Sequence, residues 1–188
     1  MNIKICSLNV RGLRNKEKRE KMFCWLKEQP YNIILLQETH STYDINNQWA
    51  QEWGYSAFFS GNKSNSKGVG ILINKNVTCD ILNYFDIFKG RLQAIELKIN
   101  DKNITIINIY GPNNDEILLF EKLEEFMLLH DDKSIITGGD FNTVLDTEKD
   151  KKNGTIDNHK KIRKKLESII NTNNLIDKNL AFSTHKYT

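Results

Sequence analysis

The sequence predicts an α/β protein, a mixed sheet or pair of sheets covered by helices, on three observations. Short apolar runs of strand length recur along the chain, and several are joined by hairpin turns; three other stretches carry helical spacing. The two kinds neither alternate strictly, as in a βαβ protein, nor exclude helices, as in an all-β one. One domain accounts for the 188 residues, because a chain of that size hides roughly 70 % of its unfolded surface.

"IKICSLNV" is the first strand, stopped where Gly12 breaks it and leaving Asn9 at its exit. Residues 15 to 28 form an amphipathic helix of good helix formers, ended by Pro30. "NIILLQETH" is a second strand; its continuous apolar core implies burial on both faces, and it delivers Glu38 and His40 at its end. "WAQEWGYSAFFSGNKSNSKGVGILIN" is expected to be a strand, a polar turn and a returning strand. A second hairpin spans "RLQAIELKINDKNITIINIYGPN", turning at "NDKN" and ending at Tyr110. Residues 116 to 130 place Leu119, Phe120, Leu123, Phe126 and Met127 on one helical stripe. The next strand, "KSIITGGDFN", puts Asp140 and Asn142 on one face, and its two glycines admit close approach to the backbone. A last helix is expected over about residues 158 to 171, with Ile162, Leu166, Ile169 and Ile170 on one side.

The charge of +3 is too mild to define a partner, but it is unevenly placed. Residues 149 to 165 hold eight Lys or Arg against two Asp. That run reads either as a solvated face or as a phosphate-backbone contact. Cys6, Cys24 and Cys79 are odd in number and widely spaced, so neither a disulfide framework nor a zinc site is expected, and a reducing compartment is. No apolar run approaches the ~18 residues of a membrane span, and no secretory h-region opens the chain. "GVG" at 68 to 70 has no following helix and is no dinucleotide fingerprint. Trp25, Trp49 and Trp53 are expected in the core, and His130 and His159 on the surface, with His130 at a helix C-terminus.

Four polar sites share one context, the C-terminal end of an apolar strand followed at once by turn residues: Asn9, Glu38, Tyr110 and the Asp140/Asn142 pair. Hard oxygen donors of this kind suit Mg²⁺, which needs one or two protein carboxylates beside substrate phosphates. Such an ion polarises a phosphoryl oxygen while a second carboxylate activates water, and a phenol and an amide donate hydrogen bonds to the transition state. Zinc is disfavoured, since no His or Cys clusters at ligand spacing.

In that order and at those separations, "LNVRGL", "LLQETH", "NIYGPN" and "GGDFNT" resemble the signature segments of the endonuclease/exonuclease/phosphatase superfamily, and most of all the apurinic-type endonuclease domain of non-LTR (LINE-like) retrotransposons. The resemblance implies a four-layer α/β sandwich like that of deoxyribonuclease I, two mixed sheets back to back with helices outside. It implies Glu38 as the principal Mg²⁺ ligand (Mn²⁺ serving as well), with Asn9 nearby. Asp140 would activate water, Asn142 would hold the phosphate or its neighbours, Tyr110 would bond the scissile phosphate, and His40 would support the metal side. The expected activity is DNA nicking that leaves a 3′-hydroxyl for reverse transcription. The expected partners are DNA and a downstream reverse transcriptase domain, with no membrane, in an intracellular protein acting in the nucleus.

Family members finish with a Ser-Asp-His segment that this sequence lacks. "STHKYT" at its end resembles a stretch upstream of those last strands, and His185 there matches a variable position. The expectation is a single domain over 1 to 188, truncated at its C-terminus, missing its last strands and impaired in hydrolysis. The alternatives are a phosphoesterase acting on small phosphoesters of the phosphoinositide or sphingomyelin type, and a non-catalytic nucleic-acid-binding relic.

Overall fold

The computed structural model describes residues 3–62, 66–131, 134–143, 145 and 160–176. His159, His185 and most of the basic run lie outside them, as does "STHKYT". The described residues group into two compact units, one drawn from 1–113 and 132–142, the other from 114–131 and 143–188.

In the first unit, strand β1 (Ile5–Asn9) pairs parallel with β2 (Ile33–Gln37), across the helix α1 (Lys16–Glu28) that connects them. β3 (Ala57–Ser60) and β4 (Val69–Ile73) form the expected hairpin, and β4 pairs antiparallel with β2, giving the order β1-β2-β4-β3. A second sheet has the order β5-β6-β7-β8, from β5 (Asp80–Phe88), β6 (Leu92–Ile99), β7 (Lys102–Tyr110) and β8 (Ser134–Asp140). Only its β7–β8 pair is parallel, and that register sets Tyr110 beside Asp140. The β6–β7 turn is built on Asn100 and Asp101 with φ of 48° and 61°, the left-handed pair that a two-residue type I′ hairpin requires.

β2 is buried along its whole length and divides its side chains between two cores. Ile33 and Leu35, with Ile71 and Ile73, face Ile95, Leu97, Ile99 and Ile106 of the other sheet. Ile34 and Leu36 turn outward against Phe23 and Leu26 of α1 and against Trp49 and Trp53.

Those two tryptophans belong to an unexpected helix, α2 (Asn46–Trp53), where the sequence suggested a strand. The spacing of 49 and 53 is helical, one turn apart, and Gly54 at φ 79° ends the helix. β5 was not foreseen at all: its side chains are largely exposed, and two register shifts against β6 break its alternation. Trp25, expected inside, is 51 % exposed. It lies two residues past Phe23, roughly 200° round the helix from the buried stripe.

Asn15 caps α1 by accepting from the Lys18 backbone N–H at 2.9 Å. Arg19, 4 % exposed, clamps α1 to α2: Nε and Nη2 donate to the two Glu52 carboxylate oxygens at 2.6 and 3.0 Å, Nη1 donates to Leu13 O, and the guanidinium lies 4.7 Å from the Trp49 ring centroid. Arg19→Met is expected to cost about 2–3 kcal/mol, below the usual figure for breaking a buried pair because Glu52 can rehydrate. The Arg19 hydrogen bonds hold the Glu52 carboxyl below its usual range. Its contribution is therefore present in full above the unfolded-state value and lost as pH falls through the folded one. Urea unfolding should show the parent–variant gap at pH 7 and a narrower one at pH 3.

In the second unit, α3 (Leu118–Leu128) and α4 (Lys160–Thr172) pack together. Leu119, Phe120, Leu123, Phe126 and Met127 are buried on α3, and Ile162, Leu166 and Ile169 on α4, as the periodicity predicts. Asp115 accepts the Lys161 and Ile162 backbone N–H groups at 3.1 Å, satisfying two of the free donors that begin α4. His130 Nδ1 lies 2.7 Å from Phe126 O at the end of α3. Among the described residues no helix is long and apolar enough to cross a membrane.

Candidate active site

Past β1 and β2 the chains continue side by side. Val10 N donates to Gln37 O, Gly12 N to Glu38 O and Leu13 N to Thr39 O, at 2.7 to 2.9 Å. Lys18 of α1 pins the turn after Asn9, its Nζ donating to the carbonyls of Val10, Arg11 and Gly12 at 2.8, 3.0 and 2.7 Å. Glu38 has φ 52° and His40 φ 59°. A side chain in that left-handed region costs about 1–3 kcal/mol and persists only where its surroundings impose it. Here Thr39 N and His40 N donate to Gly68 O and Lys67 O, so β4's leading residues hold the loop.

The second sheet contributes from the opposite side. Ile109 faces Gly139, and a Cβ built on Gly139 (φ 144°) would fall 2.0 Å from Ile109 O; on Gly111 it would fall 2.0 Å from Phe141 O. Gly138 likewise leaves room for Leu35, whose Cδ1 would meet a Cβ at 2.7 Å. The close approach expected of the paired glycines is therefore made by β7 and β2. Gly111 N donates to Asp140 O at 2.7 Å, and Asn142, at φ 50°, donates from Nδ2 to Gly111 O at 2.8 Å and from its backbone N to Asp140 Oδ1 at 3.1 Å.

The two ends meet at one amide. Asn9 Nδ2 donates to Glu38 Oε1 and to Asp140 Oδ2, each at 2.9 Å, and the Tyr110 hydroxyl donates to the same Glu38 oxygen at 3.0 Å. The orientation of the Asn9 amide is fixed by chemistry, since carboxylates only accept; its Oδ1 takes the Arg11 N–H at 3.1 Å. Asn9, Glu38, Tyr110, Asp140 and Asn142 are thus brought together. His40 is not part of that hydrogen-bonded cluster: its ring lies against Gly12, where a Cβ would come 2.8 Å from Nδ1.

Burial, then the hydrogen bond from the Tyr110 hydroxyl to Glu38, push the Tyr110 phenol up to about 12. It therefore stays a donor across the physiological range. Arg91, absent from the sequence-based set, backs it: Nη1 donates to the carbonyls of Tyr110 and Gly111 at 3.0 and 2.8 Å, and the guanidinium lies 4.9 Å from the ring centroid.

Among the described residues, neither Glu38 nor Asp140 forms an ion pair, and Glu38 Oε2 accepts no hydrogen bond. Two carboxylates oriented only by neutral donors leave negative charge uncompensated, which fits a hard divalent cation. No group of three His, Cys, Asp or Glu that could hold a metal occurs among those residues, so an ion here would draw further ligands from amides, water and substrate.

The sequence profile of the Endonuclease/Exonuclease/phosphatase family matches residues 6–171. A protein described as the transposon TX1 uncharacterized 149 kDa protein of Xenopus laevis is 30 % identical over 149 residues, which are 78 % of this chain and 11 % of that protein. The chain thus spans about a ninth of the relative it matches. An AP endonuclease from Archaeoglobus fulgidus aligns with a TM-score of 0.62 at 22 % identity, over 91 % of this chain and 71 % of that one. The endonuclease domain of TRAS1, a telomere-specific non-LTR retrotransposon, aligns with a TM-score of 0.64 at 14 % identity, over 92 % and 71 %. The likeness shows the α/β fold of two mixed sheets flanked by helices.

Proposed function

Since the chain belongs to the endonuclease/exonuclease/phosphatase family, we propose that it is a Mg²⁺-dependent phosphodiesterase that nicks DNA, leaving a 3′-hydroxyl from which a reverse transcriptase domain of the same retrotransposon protein can extend. The observation that carries this is the shared Asn9 amide, which sets carboxylates from two different sheets around one point. The transposon relative supports the setting.

Glu38 would hold the cation, with Asn9 beside it. When bound, the ion offsets charge on the phosphoryl and leaving oxygens. Asp140 takes the proton of an attacking water: Asn9 and Asn142 N fix its two oxygens, and each oxygen keeps a lone pair for the water. As the water oxygen bonds to phosphorus, the P–O3′ bond breaks; the departing O3′ takes up a proton from solvent and the phosphate stays on the 5′ side. Tyr110, kept protonated by its setting, offers its hydrogen to a phosphate oxygen that arrives beside Glu38.

With Mg²⁺ the protein should convert supercoiled plasmid to open circle, slowly in keeping with the impaired hydrolysis expected above, and EDTA should stop it. The nicked ends should be extended by a DNA polymerase without prior phosphatase treatment. Plasmid left intact while a small phosphoester is hydrolysed would transfer the site to the phosphoesterase alternative.

A further inference from the structure

Between the two sheets, in a layer made mostly of aliphatic side chains, lie Gln37 and Asn108, 1 % and 0 % exposed. Gln93 of β6, also 0 % exposed, lies beside Asn108, its amide likewise against the backbone of the facing sheet. Asn108 of β7 donates from Nδ2 to two carbonyls of the facing sheet, Leu36 O at 3.0 Å and Gly70 O at 2.8 Å, and its Oδ1 accepts from Gln37 Nε2 at 2.8 Å. Gln37 Oε1 in turn accepts from Ser7 Oγ of β1 at 3.3 Å. Carbonyls only accept, so the Asn108 amide can sit in one orientation. Three of its four hydrogen-bonding positions are thereby used, all of them across the gap.

The members of this chain stand next to the site residues in sequence. Ser7 precedes Asn9 by two positions, Gln37 immediately precedes Glu38, and Asn108 precedes Tyr110 by two. Aliphatic packing is non-directional and tolerates small slides between sheets. Buried hydrogen bonds do not, because any displacement leaves polar groups unpaired where no water can replace the lost partner. We propose that Asn108, with Gln37, is a positioning residue: it fixes the offset between the sheets so that the Tyr110 hydroxyl and Asp140 reach the Glu38–Asn9 side of the site. This rests on the functional reading above for its consequence in catalysis, but its geometric claim stands apart from it.

The test uses the full chain carrying ¹³Cζ-labelled tyrosine, with the Tyr110 resonance assigned through Tyr110→Phe. Glu38→Ala sets the shift that follows loss of the Tyr110–Glu38 hydrogen bond. Asn108→Leu should move the Tyr110 resonance in the same direction by at least half that amount. Gln37→Met, which keeps both carbonyl contacts of Asn108 and serves if Asn108→Leu does not fold, should move it less but in the same sense. Leu97→Ala removes core from the far end of the same sheet and should leave the resonance in place however much it lowers the unfolding temperature. At saturating plasmid, Asn108→Leu should nick at least tenfold more slowly with unchanged KM. A Tyr110 resonance at its parental position in both polar variants, or one moved equally by Leu97→Ala, overturns the proposal. A parent that fails to nick while the resonances behave as expected overturns the nuclease reading alone.

Discussion

Asp140→Asn is expected to slow plasmid nicking by about 10²–10⁴-fold, the usual worth of a positioned proton acceptor, with the Mg²⁺ dependence of the residual activity unchanged. The substitution leaves one anchor of the side chain in place, because an asparagine Oδ1 can still accept the Asn142 backbone N–H, while its Nδ2 replaces the oxygen that accepts from Asn9, so that hydrogen bond goes with the charge. What it removes is a carboxylate able to take a proton from water. Glu38→Gln should behave differently. It keeps an oxygen to accept from Asn9 and Tyr110, but removes the charge that faces the cation. The Mg²⁺ concentration for half-maximal nicking should rise by at least the roughly 10–100-fold that follows loss of an outer-shell partner, and excess Mg²⁺ should restore part of the rate. Metal titrations of both variants separate the two roles. Equal displacement of the metal curve by both substitutions, or parental rates in either, would sink the assignment.

Gly139→Ala is expected to prevent stable folding. The new methyl would sit 2.0 Å from Ile109 O and 2.8 Å from Ile109 N, backbone atoms of the strand hydrogen-bonded alongside, and φ 144° is a conformation that L-residues rarely adopt. Neither fault relaxes without separating β7 from β8. The cost should exceed about 4 kcal/mol, a large share of the 5–15 kcal/mol that holds a domain together. Gly138→Ala is the control next door. Its methyl would meet Leu35 Cδ1, the movable end of a side chain, so a loss of about 1–3 kcal/mol is expected. The buried Trp49 and Trp53 give a fluorescence signal for urea unfolding of both. Similar midpoints for the two variants would mean that β7 and β8 are not so closely paired.

Most of this geometry is written in local patterns. The continuous apolar run of β2 announced burial on both faces, and the glycine pair before Asp140 announced close packing, because each depends on a few consecutive residues. Arg91 was legible in principle: with the β6–β7 turn centred on Asn100 and Asp101, counting back along both strands sets Arg91 opposite Tyr110. Asn108 was not, since an isolated asparagine in an apolar strand says nothing about which carbonyls lie across a sheet interface. α2 was misread because two tryptophans and an alanine suit a half-buried strand as well as a helix in so short a window, and tertiary packing decides between them. β5 left no periodic trace, as an exposed strand with register shifts need not alternate.

The left-handed backbone at Glu38 sets protein stability and chemistry against each other at a single codon. Replacing this acid with glycine would relieve roughly 1 kcal/mol of backbone strain and discard the group proposed to face the cation. Directed evolution toward heat resistance alone would therefore drift to an inert protein at this position, whereas glutamate retained when activity is selected alongside heat resistance would report that catalysis, and not folding, is being preserved.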